Sequence, residues 1–157
     1  MHQSAVAYFT NGRLILAPVS RTASGDTIAT DPKWFGKSAK KAVVAHALSE
    51  ALNASRTDVA DPTADQWKRQ FIPFQDAAAV KNFKTFMRDA LRVDIERTGD
   101  TATLTPFDNL GVKNGFEARE GEGRTVAIDD LEAAAGTLLI LLGLRPDTGV
   151  VTAPVAD

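Results

Sequence analysis

Residues 31–38, DPKWFGKS, come within one residue of a phosphate-binding loop. That loop reads G-x-x-x-x-G-K-[ST]; its backbone N–H groups wrap the phosphates and its lysine meets their charge. Gly36, Lys37 and Ser38 fit, but Asp31 stands where the first glycine belongs and would set a carboxylate against the anion. Pro32 has no N–H to offer, and Trp34 and Phe35 are bulky where the chain must curl. A nucleotide enzyme also needs an apolar strand ending in a magnesium-binding aspartate. The one candidate, LRVDIE, alternates with charges instead. The stretch therefore reads as a helix start, with Ser38 capping the run AKKAVVAHALSEAL.

Other chemistry-bearing residues are sparse. His2 sits at a terminus, and His46 has only Glu50 at i, i+4, short of the three or four ligands that zinc takes. No serine lies in a G-x-S-x-G elbow, and the chain has no cysteine, which excludes disulfides and thiolate metal sites and suits a reducing compartment. The carboxylates of the second half could hold an acid–base pair, but no spacing singles one out. The glycine-rich stretch NLGVKNGFEAREGEGR, residues 109–124, could cradle an anion, yet Glu117, Glu120 and Glu122 offset Lys113, Arg119 and Arg124. Gly111 and Gly115 are expected to reverse the chain while Phe116 pins the loop to the body. No cofactor or metal is expected.

The elements that would position these residues follow from pattern. SAVAYFT and RLILAP flank Asn11-Gly12, a hairpin signal because both turn positions want positive φ. A short strand is expected at Asp26–Thr30, then a helix over Ala39–Asn53 with the stripe Val44, Ala47, Leu48, Ala51 and Leu52. Residues 64–90 read as short helical pieces divided near Pro73. LRVDIER buries Leu91, Val93 and Ile95 against Arg92, Asp94 and Glu96; TATLTP pairs back on it, and RTVAID gives another strand. Asp129 or Asp130 caps a helix whose Leu131, Ala134, Ala135, Leu138 and Leu142 form a core stripe. The expectation is an α+β fold: one domain over residues 1–142, a mostly antiparallel sheet packed against helices, and a loose tail at 143–157.

With 157 residues, 44% of them hydrophobic, one domain with a real core is expected. The N-terminal MHQSAVAYFTNGR lacks the pattern of a secretory signal, and the longest apolar run, Leu138–Leu142, is too short to span a bilayer, so a cytoplasmic protein that makes no membrane contact is expected. The net charge of −2 conceals an asymmetry. Lys and Arg outnumber Asp and Glu by seven to three over residues 1–56, match them at five each over 57–90, and fall behind by six to twelve over 91–157. The acidic last part argues against that part gripping nucleic acid and suits a basic partner.

The order of motifs resembles one family. LRVDIERTGDTAT followed by LTPFDNLGVKNGF is similar to the strand, TP-containing strand and N-x-G…GF loop of the immunity proteins of contact-dependent growth inhibition. YFTNGRLILAPVSRTASG with a following DP-W element, and ALNASR followed by DPT…W, match in the same order, so the resemblance covers residues 4–142. Lys33 in DPKW replaces an apolar residue of the family pattern, and QFIPFQDAAAV matches roughly. The resemblance implies an inhibitor rather than an enzyme. Its partner would be the cognate toxin domain, often a nuclease, at the C-terminus of a large exported protein, bound one to one with no direct nucleic-acid contact. Charge and loop position, not family data, place the partner-binding residues at Asp108, Glu117, Glu120 and Glu122, and also at Asp94 and Glu96. Two other readings stand beside this one. One is a nucleic-acid or small-ligand module using Arg13, Arg21, Lys33, Lys37, Lys40 and Lys41; the other is a hydrolase built on carboxylates of the second half.

Rejection of the phosphate loop has a direct test. Equilibrium binding is expected to show no specific micromolar affinity for ATP or GTP, and Lys37→Ala to change nothing; specific binding lost in that variant would reinstate the loop.

Overall fold

The structure, a computed structural model, describes residues 2–36 and 39–144. Asn11 and Gly12 both take positive φ, 50° and 72°, the conformation of a turn whose twist matches that of the strands it joins. They connect β1 (His2–Thr10) to β2 (Arg13–Arg21), with Thr10 opposite Arg13 and Ser4 opposite Val19. Both strands are buried on both faces. Ala5, Ala7, Leu14 and Leu16 point one way; Val6, Tyr8, Ile15 and Ala17 point the other. That is why their sequences read as continuous apolar runs rather than alternating ones.

The hairpin lies inside an eight-stranded antiparallel sheet. β5 (Leu91–Thr98) pairs with β1, and β6 (Thr101–Asn109) pairs with β5. Each outer edge is divided between two short strands. β3 (Thr27–Ala29) and β4 (Lys33–Phe35) share the free edge of β2, while β7 (Phe116–Ala118) and β8 (Arg124–Ala127) share that of β6. The short strand expected at Asp26–Thr30 and the one at RTVAID are thus found, each slightly trimmed. β4 and β7 were not foreseen: the first lies inside the phosphate-loop look-alike, the second inside the glycine-rich stretch. Gly111 and Gly115 do close the reversal before β7, at φ 93° and 67° with a 2.8 Å bond from the Gly115 N–H to the Gly111 carbonyl.

One face is covered by α1 (Lys41–Ala54) and α5 (Leu131–Leu141). Val44, Leu48 and Leu52 of α1, with Ala134, Ala135, Leu138 and Leu139 of α5, meet Ala5, Ala7, Val93, Ile95, Ala102 and Leu104. α1 starts two residues later than expected, and its N-cap, Lys40, gives no side-chain bond; Lys37 and the expected cap Ser38 lie outside the described residues. Asp130, not Asp129, caps α5, its Oδ1 accepting the Ala133 N–H at 3.0 Å. Helix α5 closes on Gly143, φ 75°: the Leu144 N–H donates to the Leu139 carbonyl and the Gly143 N–H to that of Ile140. This termination buries Leu144, so the first two residues of the expected tail belong to the body; residues 145–157 lie outside the described residues.

After α2 (Ala64–Arg69), which buries none of its residues, α3 (Ile72–Ala77) and α4 (Phe83–Met87) cover the other face. Thr63 and Gln66 form a reciprocal cap on α2, and Pro73 falls in the first turn of α3 rather than between helices. Helices this short leave many carbonyls without partners, and the sheet supplies donors for them. Asn11 Nδ2 reaches the Ala78 carbonyl at 2.8 Å, Arg13 that of Ala77 at 3.0 Å, and the Thr10 hydroxyl lies 2.9 Å from that of Phe86. Asn109 Nδ2 bridges the carbonyls of Met87 and Ala90 at 2.7 and 2.9 Å. Between these pins, Phe74 and Phe86 pack edge-on against Tyr8, as does Phe71. Truncating the fully buried Phe86 to alanine would cost about 3–5 kcal/mol. Phe116, half-buried, joins the cluster at 5.8 Å from Tyr8 and does pin its loop.

Burial pushes the Tyr8 hydroxyl from its ordinary value of 10.0 up to about 12, with Arg92 pulling it down and Asp94 adding to the rise. The unfolded chain would therefore lose this proton at lower pH than the folded one. Stability from the site is fully present below pH 10 and falls as pH approaches 12, by roughly 2 kcal/mol. Tyr8 is the sole tyrosine, so tyrosinate absorbance reports it alone. The titration midpoint is expected near 12 in the native protein and near 10 in denaturant; coincident midpoints would place the ring in water.

Candidate partner-binding site

Cover by α3 and α4 stops partway across its face. The row Ile15, Tyr8, Arg92, Phe107 lies beneath or beside the aromatic cluster, whereas the row Val19, Ser4, Glu96, Thr103, Thr125 is open. A groove of about 150 Å³ lies between them, lined by Ser4, Tyr8, Arg21, Thr27, Asp94 and Glu96 among others.

Asp94 is not a free carboxylate. Arg92 grips it through two bonds, Nε to Oδ1 at 2.8 Å and NH2 to Oδ2 at 3.0 Å, and the guanidinium lies 4.2 Å over the Phe107 ring. Burial disfavours the Arg92 charge, but the hydrogen bond and charge of Asp94 more than offset it, and the group titrates above its usual range. Reading Arg92 as a solvated residue missed this. Its i, i+2 spacing from Asp94 on one strand was the available signal, since it puts both on one face. Leu91, expected in the core, is instead exposed at the strand's first residue.

Glu96 faces solvent with His2, whose Nε2 lies 3.6 Å from the carboxylate and 3.4 Å from the Ser4 hydroxyl. Ser, His and Glu together suggest a proton relay, but a relay needs one imidazole nitrogen for the hydroxyl and the other for the carboxylate. Here a single nitrogen faces both. Among the described residues, no group of three or more His, Cys, Asp or Glu is placed to hold a metal ion.

The remaining expected residues gather elsewhere. Asp108 and Glu117 are direct cross-strand partners on β6 and β7, on the opposite side of the sheet from Asp94 and Glu96. Glu120 and Glu122 follow, exposed, in the β7–β8 connection. The six carboxylates thus form two groups, not one patch. Arg119 bonds Asp108 at 3.2 Å and Glu122 at 3.5 Å; Glu117 and Glu120 make no ion pair among the described residues. Like charges directly opposite each other destabilise a sheet, and only Asp108 of this pair has a cation.

The basic residues of the first third are dispersed. Arg13 stacks 3.8 Å over Trp34, Arg21 bonds the Gly25 carbonyl, Lys33 pairs with Glu50, and Lys40 and Lys41 open α1. Glu50 also meets His46 at 3.6 Å, the expected helix-surface pair.

No family model matches the chain, and no curated protein matches it. Two solved structures share its fold. A protein of unknown function, NMB0488 from Neisseria meningitidis, superposes with a TM-score of 0.73 at 16% identity, covering 90% of this chain and 93% of its own. A chain of the CdiA-CT/CdiI toxin and immunity complex from Yersinia pseudotuberculosis superposes with a TM-score of 0.72 at 11% identity, covering 90% of this chain and 95% of its own. At these identities the likeness is one of fold.

The Asp108–Glu117 opposition generates a prediction that separates binding from stability. Glu117→Gln relieves the repulsion and is expected to raise stability by less than about 1 kcal/mol in denaturant unfolding. A variant less stable than the parent would show that Glu117 supports the fold.

Proposed function

We propose that this chain is an immunity protein that binds and neutralises the toxin domain of a contact-dependent growth inhibition system, one to one and without catalysing a reaction. The observation that carries the reading is the fold shared, over nine-tenths of the chain, with a chain of a toxin and immunity complex. It agrees with the motif order read from the sequence, which rests on different information. The toxin is proposed to be a nuclease met in the cytoplasm. Such an enzyme must hold a polyanion and so presents a basic surface, which carboxylates without cations of their own would meet. Glu117 and Glu120 are of that kind, on a short edge strand and a turn outside the core. Immunity must be established before damage accumulates, and opposite charge accelerates encounter at low ionic strength.

The test is co-expression with the C-terminal domain of a large exported protein sought in the neighbouring reading frames. Cells expressing both are expected to survive, and purified partners to form a one-to-one complex. Glu117→Lys with Glu120→Lys is expected to leave the fold intact and slow association, the difference narrowing as salt rises. A parent chain that neither binds nor protects would sink the proposal; a double variant that associates like the parent would remove these residues from the interface.

A further inference from the structure

The hydroxyl of Tyr8 is left over from the packing of the aromatic cluster. The residue is only 7% exposed, yet its Oη makes no hydrogen bond among the described residues. No polar side-chain atom among them is both wholly buried and without a partner, so this oxygen reaches the surface. It does so in the groove of about 150 Å³ that Tyr8 helps to line. An O–H fixed by its ring and given nothing to donate to is a poised donor. Arg92, on the same lining, adds to it: Nε and NH2 are spent on Asp94, while NH1 makes no hydrogen bond among the described residues.

Acceptors stand further along β5. Each Asp94 oxygen takes one bond from Arg92 and keeps a second lone pair. Glu96, two residues on and on the same face, pairs only with His2 among the described residues. Arg21 closes the far end, where it bonds the Gly25 carbonyl, and Val6 and Val19 lie between.

These groups select the occupant by elimination. The lining holds two guanidinium groups, Arg21 and Arg92, and two carboxylates, Asp94 and Glu96, so it has no net charge to draw an ion out of water. A carboxylate would accept from Tyr8 but would face Asp94 and Glu96. An ammonium would suit those two but could accept nothing from Tyr8 or Arg92. A primary amide does both, its oxygen accepting and its NH2 donating. Size limits the source. Sites for free small molecules commonly run to about 300–1,000 Å³, whereas 150 Å³ admits a group of roughly benzene's bulk. That is room for one side chain.

We infer that this groove binds the carboxamide side chain of an asparagine or glutamine on a partner protein, its carbonyl toward Tyr8 and Arg92 and its NH2 toward Asp94 and Glu96. The partner's surface would rest on the open row beside the groove, through Ser4, Thr103 and Thr125. Recognition of this group does not depend on the partner being a toxin, so the immunity reading can fail without it.

The probe is propionamide, the glutamine side chain without its backbone, titrated into the full chain and followed by NMR of the backbone amides. Saturable shifts are expected at residues 4–8 and 92–96, with a Kd on the order of 1–10 mM, within reach of so small a ligand. Propionate and n-butylammonium, the glutamate and lysine counterparts, are expected to bind at least about tenfold more weakly. Tyr8→Phe keeps the ring and removes the donor, and is expected to cost propionamide at least about tenfold in affinity. Glu96→Ala is expected to weaken propionamide and to strengthen propionate. Equal binding of the three probes, shifts elsewhere, no saturable shift by about 0.1 M, or a Tyr8→Phe variant that binds like the parent would overturn the assignment. Should Tyr8→Phe alter folding, Glu96→Ala, at an exposed position, decides the matter.

Discussion

Everything in this molecule depends on the need to cover the β1–β2 hairpin from both sides. Its two strands carry apolar side chains on both faces, and an exposed face of that kind would leave Tyr8, Ile15 and Val6 in water. One face recruits two regular helices, whose stripes are long enough to cover four strands. The other recruits two short helices, α3 and α4, from a single stretch of chain, and these reach only the hairpin and the rows beside it. The back of β5 and β6 is left open, which is why charged and hydroxyl side chains can occupy it. The polar surface is the remainder of a covering problem solved on half of one face.

The short helices could not do even this unaided. Helices of five or six residues satisfy few of their own backbone groups, and their carbonyl ends face the sheet. Thr10, Asn11, Arg13 and Asn109 answer them from strand ends and turns, so the polar ends of the sheet hold the apolar layer in register. The same bonds fix the separation between α4 and the loop after β6.

Elements that express a period over many residues were legible in the sequence. The hairpin, both long helices, β5 and β6 lie where pattern puts them, because each buries a face whose spacing is visible in one dimension. β4 and β7 were not legible. A three-residue strand has no period, and these two exist because β2 and β6 offer unpaired edges to whatever passes. For the site, the sequence located the carboxylates but not their company. That Arg92 cancels Asp94, or that Asp108 faces Glu117 across a ladder, depends on which strands are neighbours. Leu91 shows the opposite limit: it keeps the period of β5 yet sits at the first residue, where the sheet's end leaves it uncovered.

The divided outer edges carry a consequence for how the protein behaves in a crowded cell. Each long strand that could have formed a rim is met by two fragments of three or four residues, and a turn interrupts the ladder between them. A foreign strand approaching either side finds no run of free N–H and C=O groups long enough to template on. The rim therefore offers little to template further copies into fibres, and it can change sequence, fragment by fragment, while the central ladder keeps its register.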